Sequence, residues 1–187
     1  MTRDEAKVFT DFHLTNPNLR KHCYAAAFVM EALAKKLGGD SDQWFVAGMV
    51  HDADFELTKI TPEKHGITTV DWLKENGMTD EVILEAVRAH NFEQTNTQAP
   101  KNPIEWSLFT CDHLTGFIVA VALVRPEKTL AAVILESILK KWNQMAFAAG
   151  TNRAQVALCE EKLGIPLNEY ISIALSAMQE HHDELGL

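Results

Sequence analysis

Apolar residues recur at intervals of three and four along almost the whole chain, and this spacing constrains the fold more than any other feature of the sequence. Residues three and four apart lie on one face of an α-helix, whereas a half-buried β-strand needs alternating apolar and polar residues. No alternating run of Val, Ile and Thr is long enough to predict a strand. The sequence therefore predicts an all-α protein.

The breaks between the apolar segments are short and carry residues that begin or end helices. Pro17 and the pair Gly38-Gly39 mark the two ends of the first predicted helix. Asn102-Pro103 opens a segment that is apolar on all sides, which indicates a central helix. The pattern predicts a bundle of about eight helices. They cover residues 17–37, 40–54, 64–76, 79–90, 103–124, 127–142, 151–163 and 167–185.

Length and composition predict one globular unit. The chain has 187 residues, of which 47% are hydrophobic and 23% are charged, and these values permit a sizeable core. Neither a repeat nor a Gly/Ser-rich linker divides the sequence. We expect a single helical domain over 1–187, with a functional core at about 17–124. The tail over 125–187 either covers that core or forms the surface of a homodimer.

Charge and cysteine content limit the classes of binding partner and the cellular compartment that we expect. The net charge of −9 disfavours binding to a nucleic acid polymer or to an anionic membrane surface. Three widely spaced cysteines without a CxxC pair predict neither a disulfide framework nor a thiolate zinc site. The first residues lack the apolar segment of a signal peptide, and the most apolar run, 117–124, is too short to span a membrane. We expect a cytoplasmic protein.

Several ionisable side chains lie on or beside the inward faces of the predicted helices. Burial of an unpaired carboxylate costs several kcal/mol, and the chain offers few cations near these faces. A divalent metal compensates for such burial, and imidazole and carboxylate ligands without thiolates favour Fe, Mn, Co, Ni, Mg or Zn. The residues concerned are His22, His51, Asp52, His65, His90 and Asp112.

The adjacent pair His51-Asp52 is the most informative part of this set. Consecutive side chains at a helix end point about 100° apart, so the pair can flank one ion, or Asp52 can bridge two. The order His22, then His51-Asp52, then Asp112 resembles the HD superfamily of metal-dependent phosphohydrolases, over residues of about 19 to 116. The segments TGFIVAVALVRPEK and KKWNQMAFAAGTNR are similar to a bacterial and archaeal group of uncharacterised predicted hydrolases of that superfamily.

The resemblance implies a two-metal site. It implies that His22, His51, Asp52 and Asp112 hold one ion and that Asp52, with His65 and His90, holds a second. Asp52 is then a bridging catalytic residue, and the nearby Asp54 orients a water or a ligand. The implied activity is hydrolysis of a small phosphomonoester or phosphodiester by a metal-activated water, so the partner is a small phosphorylated molecule. Cations near helix ends are candidate phosphate-binding residues: Arg125, Lys140, Lys141 and Arg153.

Departures from the superfamily pattern leave alternatives open. The cyclic-dinucleotide branch carries HDIGK and a GYP signature, whereas this chain has HDADF and lacks GYP. The acidic segment 51–56 disfavours a triphosphate substrate. A di-iron oxygenase of the same fold also suits a His-rich two-metal site, and a non-catalytic module that senses a nucleotide is the third alternative.

Overall fold

The computed structural model describes residues 1–187 and confirms the all-α prediction, with twelve α-helices, two short 3₁₀ turns and no strand. In chain order, the α-helices are α1 (Arg3–His13), α2 (Pro17–Leu37), α3 (Ser41–Val50), α4 (Phe55–Thr58), α5 (Ile67–Glu75), α6 (Glu81–Ala89), α7 (Phe92–Thr95), α8 (Pro103–Leu123), α9 (Leu135–Trp142), α10 (Arg153–Leu163), α11 (Leu167–Glu180) and α12 (His182–Leu185).

Capping residues fix the ends of the two helices that begin the core. The Asn16 side chain accepts a hydrogen bond from the backbone of Asn18 at the start of α2, and Gly38 ends that helix in a left-handed conformation. Asp40 then caps α3 by accepting from the backbone amides of Asp42 and Gln43. These ends agree with the predicted boundaries, because the sequence signals and the backbone chemistry are local.

The helix α1 is absent from the sequence prediction, although its N-terminal signal is present in the chain. The Thr2 side chain accepts from the Glu5 backbone, and the Glu5 side chain accepts from the Thr2 backbone, which completes a capping box. The buried residues Ala6, Phe9 and Thr10 face the core, and the Thr10 hydroxyl donates to the carbonyl of Met49 in α3. This helix therefore packs on α3.

Three predicted helices are shorter than the apolar pattern indicates. The predicted 64–76 helix begins only at Ile67, because Gly66 has a φ of +82°. The predicted 127–142 helix begins only at Leu135, after Lys128 adopts a φ of +53° and a 3₁₀ turn follows. The predicted 167–185 helix breaks at His181, which separates α11 from α12. Apolar spacing survives across such turns, so it overestimates helix length.

The centre of the fold is formed by α2, α3 and α8, with α10 and α11 packed around them. One buried hydrophobic core extends from Ala6 to Leu185. Helix α8 is long and apolar enough to cross a membrane, but 61% of its most apolar window is buried inside the protein. It is the central helix that the sequence predicts. Its middle residues face α2 and the end of α3, and this contact positions the candidate site.

Candidate metal centre

The six residues predicted as metal ligands lie together, although they come from five separate parts of the chain. Their ligand atoms form two groups in which all atoms lie within 4.8 Å of one another. The first group is His22, His51, Asp52 and Asp112, and the second is Asp52, His65 and His90. Asp52 belongs to both groups, as the sequence-based interpretation of a bridging carboxylate requires.

The first group joins α2, the C-terminal end of α3 and the middle of α8. His22 Nε2 lies 2.9 Å from Asp112 Oδ1 and 3.4 Å from Asp52 Oδ2. His51 Nε2 lies 3.4 Å from Asp52 Oδ1 and 3.8 Å from Asp112 Oδ1. Ligand atoms that share one ion at about 2.1 Å lie about 3 to 3.5 Å apart, so most of these spacings already suit a divalent ion.

The second group joins Asp52 to the turn before α5 and to the end of α6. The Oδ1 atom of Asp52 lies 3.0 Å from His65 Nε2 and 3.4 Å from His90 Nε2, and the two histidine nitrogens lie 3.1 Å apart. These spacings also match the distances between neighbouring ligand atoms around one divalent ion. Asp52 therefore directs Oδ1 toward the second group and Oδ2 toward His22.

All four histidines are oriented by a hydrogen bond at Nδ1. The Nδ1 atoms of His51 and His90 donate to the backbone carbonyls of Gly48 and Val87, at 2.8 and 2.6 Å. His22 Nδ1 lies 3.2 Å from the Thr115 hydroxyl, which itself donates to the Asp112 carbonyl and therefore accepts from the imidazole. With Nδ1 protonated, the Nε2 lone pair points at the carboxylates, which is the arrangement of metal-binding histidines.

Asp54 supplies the fourth of these hydrogen bonds. Its Oδ1 accepts from His65 Nδ1 at 2.7 Å, and its Oδ2 accepts from the backbone amides of Gly66 and Thr69 at 2.8 and 3.0 Å. The carboxylate is completely buried, so it faces no open solvent. The sequence interpretation gave Asp54 the role of orienting a water or a ligand, and the structure places it behind the predicted ligand His65.

Gly66 allows the turn that carries His65 to approach α6. A Cβ atom at this position would lie 2.9 Å from His90 Cε1 and 2.9 Å from the Val87 carbonyl. Together with its positive φ, this close approach requires glycine. The local sequence therefore brings His65 next to His90, although they lie 25 positions apart.

The electrostatics of the cluster favour a cation. Burial by itself lowers the pKa of His22, but the hydrogen bond and charge of Asp112 and the charge of Asp52 raise that pKa to about 9. Burial also lowers the pKa of His65, and the Asp52 and Asp54 carboxylates raise it to about 10.

The two carboxylates show the complementary effect. Burial raises the pKa of Asp52, but the charge of His51 and hydrogen bonds from His65 and His90 hold that pKa well below its usual range. Burial likewise opposes ionisation of Asp112, and the hydrogen bond and charge of His22, with His51 Nε2 nearby at 3.8 Å, lower its pKa strongly. The ionised carboxylates attract protons or metal ions, which compete for the imidazole nitrogens.

One buried atom tests directly whether the residues suit a metal. His51 Nε2 is buried and has no hydrogen-bond partner. An unpaired buried nitrogen costs about 1–3 kcal/mol, and here it faces two carboxylates. A divalent ion between these atoms would satisfy the nitrogen and both carboxylates together, so the donor set fits the metal that the sequence predicts.

A cavity of about 230 Å³ lies beside the second group. Its wall includes His65, His90 and Asp112 from the cluster, together with His113 and side chains of α7 and α10. The four cations that the sequence proposed for phosphate binding do not line this cavity. The structure therefore offers no support for a phosphate clamp made of Arg125, Lys140, Lys141 and Arg153.

Arg153 binds backbone carbonyls in the structure, and its role in phosphate binding stays a prediction. Its guanidinium donates to the backbone carbonyls of Trp142, Gln144 and Phe147, at 2.9, 3.2 and 2.6 Å. These carbonyls belong to the last residue of α9 and to the turn after it, and they need donors because the helix has ended. Arg153 thus fixes the α9–α10 connection.

The other three cations have contacts or exposure of their own outside the cavity wall. Lys141 Nζ donates to the Gln144 side chain at 3.3 Å, and Arg125 Nε lies 3.7 Å from a Glu127 carboxylate oxygen. Lys140 is exposed on α9. Sequence reasoning placed these residues from helix ends alone, and helix ends do not specify which surface they share.

Comparison with known protein families decides the family. Residues 19–142 match the family model described as HD domain, a stretch that contains all six candidate ligands and more than half of the 187 residues. The chain belongs to the HD domain family. The family match extends beyond the resemblance seen in the sequence, through the end of α9. No curated protein and no solved structure matched the chain.

Membership of the HD domain family explains the shared features of the site. HD domains bind divalent metals, and the superfamily consists generally of metal-dependent phosphohydrolases.

Sequence reasoning missed Thr115, which orients His22, and it left His113 outside the site. Thr115 lies three residues after Asp112 in α8, and this helical spacing is the signal that places both on one face.

Proposed function

We propose that this HD domain protein is a metal-dependent phosphohydrolase acting on a small phosphomonoester or phosphodiester. The observation that carries the proposal is the position of Asp52 between the two ligand groups: its Oδ2 faces His22 of the first group, and its Oδ1 faces His65 and His90 of the second. We also propose that the catalytic unit comprises 1–187 and that its partner is a small phosphorylated molecule.

The residues of the chain would have distinct roles in such a reaction. His22, His51, Asp52 and Asp112 would hold one ion, and Asp52, His65 and His90 would hold the second. Bound divalent ions supply Lewis acidity and lower the pKa of a coordinated water toward about 7. Asp54 holds the His65 ring in place, and Thr115 does the same for His22. The cavity beside Asp112 would admit the ester.

The Asp52→Ala variant tests the proposal, because it removes the one side chain that both ligand groups share. We expect it to lose bound metal and phosphatase activity together. Metal content by inductively coupled plasma mass spectrometry and phosphate release with Mn, Fe, Co, Ni and Mg would measure both. The matched control is His13→Ala, since His13 stacks on Trp72 outside the cluster.

An Asp52→Ala protein that keeps its metal and its activity would overturn the proposed site. A metal-replete wild-type protein that releases no phosphate from a broad ester panel would overturn the activity instead. Tight nucleotide binding without turnover in that same protein would favour the sensing module.

The composition of the ligand set favours a second candidate. Four imidazoles and two carboxylates form a nitrogen-rich site, and imidazole ligands suit iron. A di-iron oxygenase would then be the activity. Iron as the purified metal, a mixed-valence electron paramagnetic resonance signal and substrate-dependent oxygen uptake would identify it, and phosphate release without oxygen uptake would exclude it.

A further inference from the structure

The cavity beside the second ligand group is built mainly from uncharged hydrogen-bonding side chains. Ten residues line it, only one of them is hydrophobic, and neither Lys nor Arg is among them. Away from the metal ligands, an anionic group therefore meets neither a lysine nor an arginine side chain there. A volume of about 230 Å³ corresponds to about eight water molecules, so the cavity suits a small polar group.

The polar wall offers both donors and acceptors. Asn91 lines the cavity, and its Nδ2 donates to the Pro62 carbonyl at 3.1 Å, so its Oδ1 remains available as an acceptor. Asn152 has the opposite arrangement, because its Oδ1 accepts from the Gln155 backbone at 3.1 Å and its amide retains an N–H. The exposed Gln94 side chain adds one donor group and one acceptor.

Gln155 fixes the position of this wall relative to the metal ligands. Its side chain is 7% exposed, and its Nε2 donates to the Phe109 carbonyl of α8 at 2.6 Å. Asp112 lies three residues further along α8. The first turn of α10, capped by Asn152, is thereby fixed against the helix that carries a ligand. Gln155 is a positioning residue for the cavity.

We propose that this cavity is the subsite for a neutral, hydroxyl-rich part of the substrate, such as the sugar or polyol portion of a phosphate monoester. A hydroxyl both donates and accepts, so it matches a wall that presents both kinds of atom. A second phosphate or a carboxylate only accepts, and away from the metal ligands it would meet the Glu93 carboxylate with no Lys or Arg on the wall. The inference rests on the proposed function, because the phosphoryl group is assigned to the metal ligands.

Three phosphate monoesters of similar size separate the possible ligand classes: glycerol 3-phosphate, propyl phosphate and 3-phosphoglycerate. Beside the phosphate, the first carries two hydroxyls and the second carries no polar group. The third keeps one hydroxyl and has a carboxylate in place of the terminal hydroxymethyl group. With the Mn-loaded wild-type protein, we expect kcat/KM for glycerol 3-phosphate to exceed both others by about 10-fold or more, because apolar analogues leave polar wall atoms unpaired. Equal or higher values for propyl phosphate or 3-phosphoglycerate would overturn the proposal.

Two variants test the wall itself. Gln94→Leu removes an exposed amide, and Asn152→Asp keeps the oxygen that caps α10 while it replaces the N–H donor with a negative charge. For each, we expect KM for glycerol 3-phosphate to rise about 10-fold while KM for propyl phosphate stays within about 2-fold. Gln98→Leu is the matched control, since Gln98 is exposed in the segment after α7 but does not line the cavity.

Calorimetric titration of the same esters into the Mn-loaded protein separates this inference from the proposed function. Preferential binding of glycerol 3-phosphate without hydrolysis of any ester would overturn the hydrolase and leave the subsite supported. Hydrolysis of all three esters with equal affinity and no effect of Gln94→Leu would support the hydrolase and overturn the subsite.

Discussion

At the scale of single residues, the site depends on what lies behind the ligands as much as on the ligands. Each predicted histidine ligand has its Nδ1 held by an acceptor, so each ring presents Nε2 to the cluster. Three of these acceptors are local backbone carbonyls or a hydroxyl. The fourth, Asp54, is a buried carboxylate that also caps the turn before α5.

The Asp54→Asn variant tests the hydrogen bond that holds the Nδ1 atom of one ligand, His65. The amide has one acceptor oxygen, so it cannot accept from His65 and from both backbone amides as the carboxylate does. Loss of such an outer hydrogen bond typically weakens metal affinity about 10- to 100-fold. We expect metal stoichiometry, measured by calorimetry with Mn²⁺, to fall from two toward one.

Asp183→Asn is the control for the charge change, because Asp183 is exposed at the C-terminal end of the chain. It should bind metal as the wild type does. Full stoichiometry with unchanged affinity in Asp54→Asn would show that His65 needs no support from this carboxylate.

At the scale of helices, the close crossing of α2 and α3 positions the first ligand group. A Cβ atom at Gly48 would lie 2.9 Å from the backbone of Ala26 and Ala27 in α2. Only glycine therefore permits this separation of the two helices. Gly48 also supplies the carbonyl that orients His51. The same residue therefore affects both the packing of α2 on α3 and the orientation of a ligand.

We predict that Gly48→Ala lowers the free energy of unfolding by about 1–3 kcal/mol, because the clash is with backbone that cannot rotate away. Separation of α2 from α3 would also move His22 away from His51, so metal affinity should fall. Urea denaturation and metal titration would measure the two effects.

Gly116→Ala is the matched control in a helix interior. A Cβ atom at Gly116 meets nothing within 4 Å, and alanine favours the helix by up to about 1 kcal/mol. We expect α8 to tolerate or gain from this change. Equal stability of Gly48→Ala and wild type would mean that the two helices can separate without cost.

At the scale of the whole molecule, the net charge of −9 includes carboxylates that stay ionised inside the fold. Asp52 is buried and Asp112 is half-buried, and in the metal-free protein imidazolium groups balance them. The pKa values of His22 and His65, about 9 and about 10, lie above the ordinary value of 6.5. Folding of the metal-free chain is therefore coupled to proton uptake.

The raised pKa values predict how metal-free stability depends on pH. Groups with a raised folded pKa contribute stability that is complete below about 6.5 and is lost as pH rises through the folded values, about 9 and about 10. The Tm of chelator-treated protein should therefore fall from pH 6.5 to pH 10. Added Mn²⁺ should restore it, because the ion replaces the protons.

Thermal unfolding at pH 6.5, 8 and 10, with and without Mn²⁺, would measure this. The double variant His22→Ala, His65→Ala should lose most of the pH-dependent slope and the response to Mn²⁺. A metal-free Tm that does not change across this range would contradict the prediction.

Much of the fold follows from local sequence signals. Asn16, Gly38 and Asp40 set the ends of α2 and α3 through hydrogen bonds within a few residues, so their boundaries are predictable. The all-α class and the apolar central helix follow from periodicity. The helix start at Ile67 does not, because a distant carboxylate, Asp54, binds the amides of Gly66 and Thr69.

The sequence by itself determined the helical class, the central position of α8 and the identity of the candidate ligands. A buried His or Asp in an apolar row needs a partner wherever the chain folds, so residue type and order carry that information. Only the tertiary structure decided that Asp54 holds His65, that Arg153 binds carbonyls of the α9–α10 turn and that amide side chains line the cavity. Those roles depend on which helix ends come together, and that is set by packing between distant segments.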